Sequence, residues 1–144
     1  MQEFPHHYRV TAAANFEDNV ELTSPGLVAL ESAGPAEFGG PGDQWSPETL
    51  LAAAVADCFI LSFRAIARAS RFEWLSLECK VDAVLDKVEK VTQFTDFQET
   101  VVLEIPAGAD EKKAMRLLEK AERACLVTNS MKGKTHLEAT VKFV

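Results

Sequence analysis

Residues 46–70 constrain the fold more than any other part of the chain. Ser46-Pro47-Glu48 has the form of a helix start, with a hydroxyl cap, proline at the first helical position and an acid in the positively polarised first turn. The run that follows, TLLAAAVADCFILSFRAIARAS, is rich in alanine and apolar around most of a helical circumference. A helix of that kind needs cover on more than one side. Its most apolar part, Leu50 to Leu61, carries Asp57 and is short of the ~20 residues that a membrane span requires. The expectation is therefore a buried helix in a soluble protein. A chain of 144 residues fits a single domain, 1–144, since soluble domains mostly run to ~100–200 residues.

Charge narrows the partners. Fifteen Lys and Arg against 22 Asp and Glu leave a net −7, with no basic run of the kind that phosphate binding needs, so nucleic acid is not expected. Apolar residues at 47% and charged ones at 26% are globular proportions. The N-terminal MQEFPHHYRV lacks a basic start followed by an apolar core, so it does not read as a signal peptide. A cytoplasmic location, away from membranes, is expected.

The remaining periodicities supply sheet. Tyr8, Val10, Ala12, Ala14 and Phe16 alternate with more polar neighbours, Val20 and Leu22 continue in a second strand, and Ser24-Pro25-Gly26 turns into a third at Leu27 to Leu30. The segment GPAEFGGPGD at 34–43 is a loop by composition. Beyond the long helix, Leu75 to Leu85 alternates with period two, as does a strand holding Phe97, Val101, Leu103 and Ile105 up to Pro106. Residues 110–125 form an amphipathic helix with Ala114, Leu117, Leu118, Ala121 and Cys125 on one face, and Leu137 to Phe143 close the chain as a strand. The order βββ-α-ββ-α-β predicts an α+β fold with antiparallel sheets and two main helices.

Three cysteines, Cys58, Cys79 and Cys125, are too few and too widely spaced for a disulfide framework or a zinc site. Cys79 lies in the apolar phase of its strand and reads as core. His136 falls in a polar phase, and His6 and His7 lie near a terminus, so no Cys–His nucleophile is indicated. Cys58 shares a helical face with Ala54, Leu61 and Ala65, and Cys125 sits on the apolar side of the second helix. From the residues alone the two are either buried core thiols or a pair facing one pocket.

Two motifs bear on that choice. The run GGPGDQWSPETLLAAAVADCF at 39–59, with ERACLVTNSMKG at 122–133, resembles the OsmC/Ohr family of osmotically inducible protein C-like organic hydroperoxide reductases. The likeness extends over nearly the whole chain, including the order of elements. It implies an intertwined homodimer with long central helices enclosed by the sheets and two active sites at the subunit interface. It also implies that Cys58 is the peroxidatic thiol, Cys125 the resolving thiol and Glu48 the active-site glutamate. Substrate would be an organic hydroperoxide, favoured by an apolar pocket, and an external dithiol or lipoyl-type reductant would reopen a Cys58–Cys125 disulfide. No metal, haem or flavin cofactor is implied.

Departures from the family pattern are specific. Family members salt-bridge an arginine to the glutamate, from the first hairpin or from the loop before the helix. Here those places read Asn15-Phe16-Glu17-Asp18-Asn19 and Pro35-Ala36-Glu37-Phe38, and Arg9, the one arginine before Cys58, matches neither. Asp57 precedes the thiol, and Leu126 replaces the proline that often follows the second cysteine. Anionic neighbours without a cation oppose thiolate formation. The alternative function is thus a non-catalytic dimer of the same fold that binds an apolar ligand or a partner.

Overall fold

The computed structural model describes all residues, 1–144. The chain divides into two compact units, Met1–Leu50 and Leu51–Val144.

In the first unit, β1 (Thr11–Ala13), β2 (Val20–Thr23) and β3 (Leu30–Ser32) form an antiparallel sheet in that order. The strands are shorter than the alternation from Tyr8 to Phe16 predicts, since that segment buries no side chain. The 34–43 loop contains a 3-10 turn at Ala36–Phe38. It closes through hydrogen bonds from Phe38 N and Gly40 N to Pro35 O, both at 3.0 Å. A Cβ at Gly40 would run into the Gly34 carbonyl, so the loop needs glycine there. Ser32 then bridges to Trp45, which delivers the chain to α1 (Pro47–Ala69). The helix opens as its sequence predicts, through a reciprocal cap. Thr49 N donates to Ser46 Oγ at 3.1 Å, and Ser46 N donates to Thr49 Oγ1 at 2.8 Å.

In the second unit, β4 (Ser76–Val88), β5 (Val91–Ile105) and β6 (Lys134–Phe143) form one sheet in that order. The β4–β5 hairpin turns on Glu89 and Lys90, both at positive φ, the backbone that a two-residue hairpin turn requires. Every strand pairing in the molecule is antiparallel except β5–β6, which is parallel. Here α2 (Glu111–Ala124) and the short α3 (Leu126–Asn129) carry the chain back to the starting end of the sheet, as a parallel neighbour demands. Asp110 caps α2, accepting from Lys113 N at 3.0 Å.

One core serves this unit. Phe59, Phe63 and Ala67 of α1, Val101, Leu103 and Ile105 of β5, and Ala114, Leu117, Leu118 and Ala121 of α2 pack together. The buried stripe of α1 is therefore Val55, Phe59, Phe63 and Ala67, not the face of Cys58, Leu61 and Ala65. On that other face Cys58 is half-buried, and Leu61 and Ala65 are exposed. The 12-residue reading of the apolar stretch also understated α1, whose 23 residues would suffice in length and composition to cross a membrane. Only 22% of its most apolar stretch is buried within one chain. Arg71, at φ 52°, ends the helix, and Phe72 N bonds back to Ala67 O at 2.9 Å. Trp74 follows, meeting Phe63 edge-on with ring centroids 5.4 Å apart.

Candidate functional site

Cys58 and Cys125 come together in the second unit. Cys58 lies mid-way along α1, half-buried, with its sulfur 3.9 Å from Ser62 Oγ one turn on. Cys125 lies at the junction of α2 and α3, where ψ of 108° breaks the helix, and it is fully buried. The break is held from the other side: the Cys125 carbonyl accepts from Thr128 Oγ1 at 3.2 Å and from Asn129 N at 3.0 Å. This is the structural work of the Leu126-Val127-Thr128-Asn129 segment. The two thiols are close enough for Cys58 to influence the ionisation of Cys125, and both are unbridged.

Burial is the largest influence on the Cys125 thiol and raises its pKa; hydrogen bonds from Thr128 pull it down, and the neighbouring Cys58 pushes it up again. Cys79, half-buried on β4, is pushed up to about 12 by burial, then by Glu99 and Cys125. It therefore stays a protonated thiol at neutral pH. No basic group is among those acting on either sulfur.

Glu48 belongs to the first unit. Its Oε1 is buried and has no hydrogen-bond partner. It lines a largely apolar cavity of about 460 Å³ together with Ala12, Val20, Leu22 and Pro35. Ten residues separate it from Cys58 along α1, about 15 Å at ~1.5 Å per residue.

A further acid escapes the motif-based reading. Glu99 sits on β5 in phase with Phe97, Val101, Leu103 and Ile105, is wholly buried, and leaves both carboxylate oxygens without a partner. The signal was present in the sequence as a glutamate in an otherwise apolar phase. Burial, then the nearby Glu122, push its pKa up from 4.5 to about 7. A carboxyl that binds its proton more tightly folded than unfolded stabilises the fold fully below pH 4.5 and loses that contribution as pH rises to about 7. Wild-type stability is expected to fall by roughly 3 kcal/mol across that interval. Urea titrations at a series of pH values check this, and the Glu99→Gln protein should lose most of the slope.

His136 is exposed and pairs with Asp96 at 2.9 Å on the outer face of the sheet, so it is no partner for a thiol. No group of three or more His, Cys, Asp or Glu side chains is arranged to hold a metal ion.

Comparison with known proteins identifies the fold and the family. A family model described as OsmC-like protein matches residues 40–140. The chain is 28% identical over 144 residues to the uncharacterized protein YmaD of Bacillus subtilis (strain 168), covering 95% of each. It is 28% identical over 132 residues to an organic hydroperoxide resistance protein of Xanthomonas axonopodis pv. citri, covering 91% of this chain and 90% of the other. The fold matches the structure of an OsmC-like protein of unknown function from Vibrio cholerae with a TM-score of 0.84, at 16% identity, over 94% of this chain and 100% of that one. The matched residues 40–140 take in both main helices and both motif cysteines, and the chain belongs to the family of OsmC-like proteins.

Proposed function

We propose that this protein is a thiol-dependent peroxidase that reduces organic hydroperoxides to alcohols. The observation that carries the reading is the proximity of a half-buried thiol, Cys58, to a fully buried one, Cys125, whose ionisation it influences. In this reading the Cys58 thiolate attacks the distal peroxide oxygen and breaks the O–O bond. The alkoxide takes a proton and leaves as the alcohol, and Cys58 is left as a sulfenic acid. Cys125 then displaces the hydroxyl, forming the disulfide and releasing water, and an external dithiol or lipoyl-type reductant reopens it by exchange. Relatives named as organic hydroperoxide resistance proteins support the same chemistry.

Peptide mapping after treatment with cumene hydroperoxide tests the assignment. The expected product is one Cys58–Cys125 bridge with Cys79 free. A bridge that contains Cys79 and leaves Cys125 reduced would overturn the roles.

The unit that works in this reading is a homodimer. Leu61 is 50% exposed on α1, beside a half-buried Cys58, and a second copy covers that face better than water does. In an antiparallel pair of α1 helices, Glu48 of one chain would lie beside Cys58 of its partner. Light scattering is expected to return twice the chain mass of 15.8 kDa, and a monomer at micromolar concentration counts against it. The second reading, a dimer of this fold that binds an apolar ligand without catalysis, is favoured by the lack of arginine at both family positions.

A further inference from the structure

A thiolate at Cys58 needs a group to stabilise it, and α1 offers no cation on that side. Asp57 comes directly before the cysteine, and the first basic residue after it is Arg64, six positions on. At ~100° per residue Arg64 is turned about 240° around the helix from Cys58, and it is exposed. The face that Cys58 does occupy carries Leu51, Ala54, Leu61 and Ala65, all uncharged, and one polar side chain, Ser62.

Ser62 lies one turn beyond Cys58 and is half-buried beside it. Its Oγ is 3.9 Å from the Cys58 sulfur, a hydrogen-bonding distance for sulfur. A serine in a helix can turn its hydroxyl back to the carbonyl four residues earlier, as Ser130 does to Leu126 O at 2.8 Å. Ser62 turns to the side chain four residues earlier instead. While Cys58 is a thiol either atom can donate. Once the sulfur ionises it can only accept, and the donor is Ser62. Hydrogen bonds to an ionised acceptor are roughly twice as strong as neutral ones, so the contact favours the thiolate over the thiol.

We propose that the Ser62 hydroxyl is the hydrogen-bond donor to the Cys58 thiolate, a further catalytic residue that supplies part of the stabilisation a cation would give. The role in catalysis rests on Cys58 as the attacking sulfur of the peroxidase reading. The thiol proton passes to water, which reaches the half-buried sulfur, and the Ser62 proton stays on its own oxygen. The sulfur's electron pair then forms the S–O bond, the O–O bond breaks, and the departing alkoxide takes its proton from solvent.

The test needs no peroxide. Alkylation of Cys58 by iodoacetamide is followed by peptide mass in the full-length protein, across neutral and alkaline pH. A stabilised thiolate is more abundant but individually less nucleophilic, with a Brønsted coefficient of ~0.4–0.5. If the hydrogen bond multiplies the thiolate population ~10-fold, Ser62→Ala should react ~3-fold more slowly than wild type near neutral pH and ~3-fold faster on the alkaline plateau. The two profiles should therefore cross, which a merely structural role does not produce. Ser62→Thr keeps the hydroxyl and should follow wild type. Alanine is the better helix former, so urea titration should find Ser62→Ala no less stable. A Ser62→Ala profile that coincides with wild type overturns the proposal even in an active peroxidase, and so does Ser62→Thr tracking Ser62→Ala. Crossing profiles in a protein that leaves cumene hydroperoxide untouched uphold Ser62 as the donor and refute the peroxidase reading instead.

Discussion

Cys58→Ser is expected to abolish consumption of cumene hydroperoxide in the presence of a dithiol. A hydroxyl at this position cannot form the nucleophilic anion at neutral pH, so the whole rate above the uncatalysed background should vanish. Cys125→Ser should behave differently. One oxidation per site survives, because the Cys58 sulfenic acid still forms and can be trapped with dimedone, but turnover fails for lack of a disulfide to reduce. The pair of variants thus separates attack from resolution. Equal, slow consumption by wild type and Cys58→Ser would remove the peroxidase reading and leave the non-catalytic dimer as the better account.

Phe63→Ala is expected to produce the largest loss of stability. Phe63 is wholly buried, contacts Trp74 edge-on and belongs to the cluster joining α1, β5 and α2. Truncating a buried phenyl ring removes its transfer free energy and leaves a cavity, together ~3–5 kcal/mol. Against a total of ~5–15 kcal/mol for a typical domain, that brings the protein close to unfolding at room temperature. Urea titration followed by tryptophan fluorescence measures it, and a loss below ~1 kcal/mol would mean that this ring does not sit in the core. Leu61→Ala on the same helix is the control. At 50% exposure within one chain it should cost little in a monomer, and a loss comparable to that of Phe63→Ala would show that a second copy covers the face.

Periodicity and caps carried the architecture because they are local. The Ser46-Pro47 start, the apolar stripe of α2 and the alternation of β4 and β5 are each written within a few residues, and the fold realises all of them. The motif around Cys58 and the segment after Cys125 placed the chain in its family for the same reason. Tertiary structure alone decided the rest. The first strands shrank because Tyr8, Val10 and Phe16 find no surface to bury against in one chain. The last strand joined β5 in parallel because α2 returns the chain to the starting end of the sheet. The face of α1 that packs inward is Val55, Phe59, Phe63 and Ala67, a choice that a helix apolar on most sides leaves open until the sheet is in place. Glu99 shows the division most plainly. Its phase in β5 was visible in the sequence, but its nearness to Cys79 and Glu122, and through Cys79 to Cys125, arises only when β4 and α2 fold over it, because electrostatic coupling depends on distances in space.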